Sequence, residues 1–132
     1  MNHFLALDIG RKHTGVSFAD MRVGIAMPLA TLHHETPEEL VQLLHPLIEA
    51  RQIGRIVVGM PYLMNGSEGE EAARVRGVLE LLTHAFPSCE ISLLDERETS
   101  RMFYGAHAED RHAEAAVRIL STFLERSQGK AS

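Results

Sequence analysis

Three carboxylates stand at the ends of two apolar segments of this 132-residue chain. Asp8 follows the run FLAL, whereas Asp95 and Glu96 follow the run ISLL. In open sheets with helical crossovers, functional sites gather beyond the carboxyl ends of the strands. If these two strands lie near each other in the sheet, Asp8 and Glu96 converge on one point.

Carboxylates that converge where water is partly excluded repel one another, so they need a compensating cation. Oxygen ligands of this kind suit Mg²⁺ or Mn²⁺, and two such ions can hold a phosphodiester for in-line attack by water. His112 and Glu114, near the start of the last predicted helix, could form a third wall of the site. Each carboxylate alone is equally typical of a turn residue or a surface ion pair, so the prediction of a metal-dependent nuclease depends on the pair.

A glycine-flanked turn, with the sequence DIGRKHTG, begins at the first of these carboxylates. Gly10 and Gly15 allow the backbone to approach a phosphate closely, and Lys12 and Thr14 can donate hydrogen bonds to it. Hairpins also use glycine for geometry alone. The rival interpretation is a phosphotransferase that binds ATP at this hairpin. Such enzymes clamp the nucleotide between two related domains, for which 132 residues leave no room.

Hydrophobic periodicity predicts an element order of βββαβαβα, a hairpin meander followed by parallel strands with helical crossovers. The predicted strands are residues 3–9, 14–19, 24–32, 55–59 and 90–94. Pro28 should confine the third strand to an edge of the sheet or force a bulge. The sequences TPEE at 36–39 and SEGE at 67–70 are capping boxes that predict helix starts. Further helices are expected from about Glu98 and from about His112, the latter ending near Arg126.

The composition is that of one ordinary globular domain, with 45% hydrophobic and 23% charged residues. We expect a domain over residues 1–126 and a disordered tail over 127–132. A single cysteine and the lack of a leader or a membrane-spanning run favour a cytoplasmic protein. The net charge of −5 argues against a general nucleic-acid binder. Local cations, including Arg11 and Arg97, and bound metal ions weaken that objection.

Five segments of the chain, in order, resemble the YqgF family, also called RuvX, whose members are described as Holliday junction resolvases and pre-16S rRNA nucleases. The segments are LALDIGRKHTGVSFAD, GIAMPLATL, RIVVGMPYLMNGSEGEEAARVR, LLDERETS and AEAAVRILSTFLE. The resemblance covers nearly the whole length of the chain. It implies an α/β fold of the ribonuclease H-like class, with a five-stranded mixed sheet flanked by helices and a divalent-metal site for phosphodiester hydrolysis.

The resemblance also implies roles for particular residues. The first catalytic aspartate of the family falls on Asp8, and the glutamate of its D-E-R motif falls on Glu96, with Arg97 beside it as a phosphate contact. The family's glycine-rich loop falls on Asn65, Gly66, Ser67 and Gly69, before a helix N-terminus that could receive a phosphate. A plain turn is an equally good interpretation of Asn65 and Gly66.

The chain departs from the family at its third acidic position, which is His112 here. Histidine can ligate Mn²⁺ and, when neutral, can act as a base. We therefore assign His112 to the catalytic and metal-binding set with Asp8 and Glu96. Asp110 or Glu114 could reach the metal instead, or the third ligand could be lost.

The leading hypothesis is thus a nuclease that acts on structured RNA, foremost a precursor of 16S rRNA. The second is a Holliday junction resolvase with the same chemistry on branched DNA. A resolvase cuts two strands symmetrically and needs a homodimer, whereas an RNA nuclease can be a monomer. The third hypothesis is a non-catalytic module that binds RNA or the ribosome.

Overall fold

The computed structural model describes residues 3–98 and 108–131, and it shows one five-stranded mixed sheet with helices on both faces. The strands, in the sheet order β3-β2-β1-β4-β5, are numbered along the chain as β1 (His3–Ile9), β2 (His13–Asp20), β3 (Ala26–His33), β4 (Ile53–Met60) and β5 (Glu90–Asp95). The helices are α1 (Pro37–Ala50), α2 (Glu70–Ala85) and α3 (Ala108–Ala131), with a short 3₁₀ turn at Glu96–Glu98 after β5. The predicted element order is confirmed. Within the described residues, no helix has the length and apolar character needed to cross a bilayer.

β1 lies at the centre of the sheet and is paired along both edges. It runs antiparallel to β2 and parallel to β4, as the meander-and-crossover pattern predicts. Its side chains alternate between the two faces. Leu5, Leu7 and Ile9 belong to the core beneath α1 and α2, whereas Ala6 belongs to the core beneath α3. By this alternation Asp8 lies on the α3 face of the sheet.

The start of α1 follows the sequence prediction closely. Thr36 is the N-cap, its Oγ1 accepts a hydrogen bond of 3.1 Å from the Glu39 amide, and Pro37 occupies the first helical position. Three residues at helical spacing, Leu40, Leu44 and Ile48, are buried against the sheet. The helix continues through Pro46, where the prediction placed a kink or strain.

β3 is an edge strand, and it also carries an irregularity beside its proline. The register with β2 shifts between Val16 and Ser17, which pair with Ala30 and Pro28 respectively. Both consequences expected of Pro28 are therefore present. The strand begins later than predicted, because Gly24 has a φ of +78° and donates its N–H to the Asp20 carbonyl within the preceding turn.

The predicted capping box at residues 67–70 is wrong. α2 begins at Glu70 with Gly69 as its N-cap. Ser67 instead donates both its amide and its hydroxyl to Oδ1 of Asn65, at 3.0 and 2.7 Å. A local turn of this kind competes with helix capping for the same polar groups. The residues 67–69 therefore extend the loop rather than the helix.

Of the three described helices, α3 packs on the face of the sheet opposite α1 and α2, with Ile119, Leu120 and Leu124 in its core. It begins at Ala108, ahead of the predicted start near His112, and continues to Ala131. The helix predicted from about Glu98 falls mostly on residues 99–107, outside the described part of the chain. The division into a domain of residues 1–126 and a tail stays a prediction.

Candidate active site

Asp8 and Glu96 meet, although the strands that carry them are not neighbours. β4 lies between β1 and β5, so the two strand ends are separated by two strand spacings, roughly 9–10 Å. The side chain of Glu96 covers this distance by lying across Gly59 of β4. A Cβ atom built on Gly59 would meet Oε1 of Glu96 at 2.6 Å and its Cγ at 2.9 Å. The missing side chain at position 59 therefore opens the path between the two carboxylates.

The two carboxyl groups share a hydrogen bond, and the pKa of Glu96 is raised to about 8. Burial is the largest cause, followed by the negative charge of Asp8 and the hydrogen bond to it. The positive charge of Arg118 on α3 acts in the opposite direction. Without a cation, the pair therefore favours a state in which Glu96 keeps its proton at neutral pH.

The first turns of α3 rest directly on the strand beside Asp8. Asp8 pairs across the hairpin with Gly15, and a Cβ atom on Gly15 would lie 1.7 Å from the carbonyl oxygen of His112. Further along, the Ser17 hydroxyl donates a buried hydrogen bond of 2.7 Å to the Ala116 carbonyl. Gly15, predicted as a phosphate contact, therefore gives close backbone packing that brings α3 to the site.

The ring of His112 is one of three histidine rings in contact with one another along a row. It stacks on His13 with centroids 5.2 Å apart and planes 10° apart, and His13 meets His33 edge-on at 4.6 Å. In the described part of the chain, no three histidine, cysteine, aspartate or glutamate side chains form a group that could hold a metal ion. The structure therefore brings Asp8 and Glu96 together, and neither His112 nor Glu114 completes a group of three ligands with them among the described residues. The assignment of His112 to the metal stays a prediction.

Glu114 is the acidic candidate of α3 whose side chain the structure describes, whereas the side chain of Asp110 lies outside the described part. The Oε2 atom of Glu114 is buried and has no hydrogen-bond partner among the described residues. It lies one helical turn before Arg118, whose charge acts on Glu96, so the two side chains share one side of the helix. A buried carboxylate oxygen without a partner is costly, because its lost hydration is not replaced.

The two predicted phosphate contacts of the first turn have different surroundings. Lys12 is exposed, and its Nζ lies 3.6 Å from Oε2 of Glu35. Thr14 is fully buried, and its Oγ1 lies 2.8 Å from Nε2 of the buried His34. Lys12 is therefore accessible to a ligand, whereas Thr14 links the hairpin to the segment that precedes α1 through its contact with His34.

Arg97 joins the loop after β4 to the end of β5. Its guanidinium binds both carboxylate oxygens of Asp95, at 2.6 to 3.0 Å, and donates to the Met64 carbonyl at 3.1 Å. This contact lowers the pKa of Asp95. Gly66 has a φ of +90°, and a Cβ atom there would lie 3.4 Å from the same guanidinium. Asn65 shapes the turn through its bonds to Ser67, so the loop is fixed beside Glu96.

Gly59 is the functional position that the sequence analysis missed. It was assigned only as the end of the apolar strand RIVVG. A glycine inside a strand often marks a close approach by another group. That signal was available, but the identity of the approaching side chain depends on the strand order.

The sheet order, the helix placement and the strand-end carboxylates together define the ribonuclease H-like fold. The chain belongs to the RuvX family, described as Holliday junction resolvase, which matches residues 2–126. A protein of Chloroflexus aurantiacus named "Putative pre-16S rRNA nuclease" is 38% identical over 96 residues, which are 73% of this chain and 62% of the relative. The match thus spans less than two thirds of that relative. A protein of the same name from a Sulfurihydrogenibium species is 32% identical over 96% of this chain and 92% of its own length.

Among solved structures, the fold is similar to that of RuvC from T. thermophilus in complex with a Holliday junction substrate. The TM-score is 0.64 with 13% identity, and the match covers 96% of each chain. At this identity the likeness concerns the fold alone. It confirms the ribonuclease H-like class predicted from the sequence.

Proposed function

We propose that this chain is a divalent-metal-dependent nuclease that hydrolyses phosphodiester bonds in RNA, foremost in a precursor of 16S rRNA in the cytoplasm. The observation that carries the proposal is the approach of Glu96 to Asp8 across Gly59. The names of the curated relatives favour precursor rRNA as the substrate. The leading sequence-based hypothesis is therefore retained.

The carboxyl groups present fit Mg²⁺ or Mn²⁺. Asp8 and Glu96 offer oxygen atoms. The pKa of Glu96 is raised by burial first and by the negative charge of Asp8 second, so ionising both groups without a cation is unfavourable. Glu114 offers a third buried oxygen that has no partner among the described residues. We infer that Asp8 and Glu96 hold the metal. Neither Glu114 nor His112 completes a group of three ligands with them among the described residues, so the third ligand, Glu114 with His112 as the alternative, would have to move towards the bound ion.

The chain supplies position, charge and proton transfer to the proposed reaction. Bound metal would neutralise the carboxylates and lower the pKa of an attacking water. Asp8 is held in place by a strand paired on both sides, and Glu96 by the 3₁₀ turn that follows β5. Bound metal would favour the ionised form of Glu96, so the proton that Glu96 shares with Asp8 would be released to solvent. Lys12 binds a phosphate of the substrate from the solvent side of the turn, and Arg97 fixes the loop over Glu96.

The test is Mn²⁺-dependent cleavage of precursor rRNA, single-stranded RNA and four-way DNA junctions by the wild type and by Asp8→Asn. Asp20→Asn is a matched control, because Asp20 ends the neighbouring strand and pairs with Arg22 on the surface. We expect Asp8→Asn to lose at least about a hundredfold in rate, as loss of charge stabilisation at a reacting centre does. We expect Asp20→Asn to retain its activity. Equal rates for wild type and Asp8→Asn would refute the metal site.

A Holliday junction resolvase is the second candidate, because the family description names that activity. A resolvase needs a homodimer, and the edge of the sheet near β3 exposes Val23, Ile25 and Met27, which could serve as a contact. Light scattering at the concentration used for cleavage distinguishes the candidates. A dimer that cuts junctions symmetrically supports the resolvase, whereas a monomer that cuts only RNA excludes it. A non-catalytic module would bind RNA equally well as Asp8→Asn and cleave nothing.

A further inference from the structure

A cavity of about 620 Å³ opens on the sheet face opposite Asp8. It lies between the turn at residues 10–12, the segment that leads into α1, and the middle of α2. Its volume is within the range of small-molecule sites, roughly 300–1,000 Å³. The residues that matter below are Arg11, Lys12, Pro37, Arg74, Gly77, Val78 and Leu81.

One end of this cavity is cationic. Arg11 and Arg74 share the carboxylate of Glu71 at 2.8 and 2.7 Å, and Lys12 lies 3.6 Å from Glu35. Three cations thus face two carboxylates. The side chains of Arg11 and Lys12 are 67% and 68% exposed, so both can turn towards an incoming anion. Arg74 also donates to the carbonyl of Ile9 at 3.1 Å, which links the cavity to the residue that follows Asp8.

The other end of the cavity is apolar and is widened by a glycine. Pro37 and Leu81 supply the accessible apolar surface, and Val78, which is 4% exposed, belongs to the core beneath them. Gly77 lies in the interior of α2, where glycine costs about 1 kcal/mol relative to alanine. A Cβ atom at this position would meet nothing within 4 Å, so no packing contact requires the glycine. Its effect is to leave space in the cavity.

We propose that this cavity binds a nucleoside monophosphate, with the base at the apolar end against Leu81 and Pro37 and the phosphate between Arg11, Lys12 and Arg74. An apolar surface beside a group of cations matches the two halves of that ligand. The ligand has two possible sources: a nucleotide of the nucleic-acid substrate at some distance from the cleaved bond, or a free nucleotide. The first source rests on the proposed nuclease function, whereas the second is independent of it.

The test is a calorimetric titration of Asp8→Asn protein, without divalent metal, with AMP, UMP, adenosine and inorganic phosphate. Gly77→Met introduces a long side chain into the cavity, and Ala73→Met places the same side chain at an exposed position of α2 outside the lining. Gly77→Ala is a milder variant that should raise the stability of the helix. We expect saturable binding of AMP or UMP, at least tenfold tighter than adenosine or phosphate. Gly77→Met should weaken it at least tenfold, and Ala73→Met less than twofold.

If neither AMP nor UMP binds at concentrations up to about 10 mM, which is above a millimolar dissociation constant, the proposal is overturned. Binding that Gly77→Met leaves unchanged would overturn it as well. The source is decided with a tetranucleotide RNA. Affinity at least tenfold above that of AMP, lost in Gly77→Met, assigns the cavity to the substrate, whereas equal or weaker affinity assigns it to a free nucleotide. Because no cleavage is measured, failure of the proposed function leaves this test intact.

Discussion

The carboxylate of Glu96 reaches Asp8 by passing directly over the backbone of Gly59. A Cβ atom on Gly59 would overlap Oε1 and Cγ of Glu96 and would also lie 2.6 Å from Cδ1 of Ile119. Contacts this short require the neighbours to move. These atoms belong to side chains, which can move without disrupting the sheet. A shift of Glu96, however, changes the geometry of the site.

Gly59→Ala should therefore damage activity much more than stability. We expect the added methyl to displace Glu96 and lower the cleavage rate at least about tenfold, since small misplacements of reacting groups have large effects. The free energy of unfolding should fall by about 1–2 kcal/mol, as for modest overpacking of a core. Urea denaturation and cleavage rates on the same samples separate the two effects. Full activity in a folded Gly59→Ala protein would contradict the crossing of Glu96 over this residue.

The stability of the metal-free protein should depend on pH through Glu96. Its pKa rises from 4.5 to about 8 on folding, so between these values the folded state holds a proton that the unfolded state has released. The free energy of unfolding therefore falls as the pH rises from about 5 to 8, by at most about 1.4 kcal/mol per unit from this group. Urea denaturation with a chelator should show this slope for the wild type and a flatter one for Glu96→Gln. The same slope in both proteins would exclude Glu96 as its source.

The third metal ligand can be assigned by comparing two variants of α3. Glu114 has a buried oxygen without a partner among the described residues, whereas the His112 ring is stacked on His13. We expect Glu114→Gln to weaken Mn²⁺ binding at least tenfold and His112→Ala to weaken it less than threefold. Calorimetry of the folded variants provides the measurement. A larger loss for His112→Ala would restore the assignment made from the sequence.

Lys12 and Thr14 were both predicted to contact phosphate, but we expect Lys12 to contribute to RNA binding and Thr14 to the stability of the fold. Thr14→Val removes the buried contact with His34 and should lower the free energy of unfolding by about 1–3 kcal/mol. Lys12→Ala, at an exposed position, should leave stability unchanged and reduce the salt dependence of RNA affinity by about one ion. Filter binding at several salt concentrations checks the second claim. Weaker RNA binding by a fully folded Thr14→Val protein would return Thr14 to the interface.

The parts of this fold that could be predicted are those set by local sequence. The boundaries of β1 were predicted to the residue, because an apolar run ends at a glycine turn. The start of α1 followed from Thr36 and Pro37, whose effects act within one helical turn. The edge position of β3 followed from the chemistry of Pro28.

The parts that could not be predicted depend on which elements become neighbours. The expectation that Asp8 and Glu96 meet did not include a strand between them, so the need for Gly59 was hidden. The stacking of His112 on His13 depends on where α3 lands on the sheet. Ser67 could have capped α2 or bonded to Asn65, and in the structure its amide and hydroxyl both donate to Oδ1 of Asn65.

Asp8 and Glu96 belong to segments that should unfold locally at different free energies. Asp8 is on the central strand and pairs with Gly15 of β2, and the pairing with β4 on the other edge ends one residue earlier, at Leu7. The amides in the middle of β1 should therefore exchange with deuterium only on global unfolding. Glu96 follows β5, the last strand in the sheet order, in a 3₁₀ turn of three residues. Local fraying there would release Glu96 while the rest of the sheet stays intact. On heating, the site should thus come apart first at β5 and regain its geometry on cooling without refolding of the whole chain.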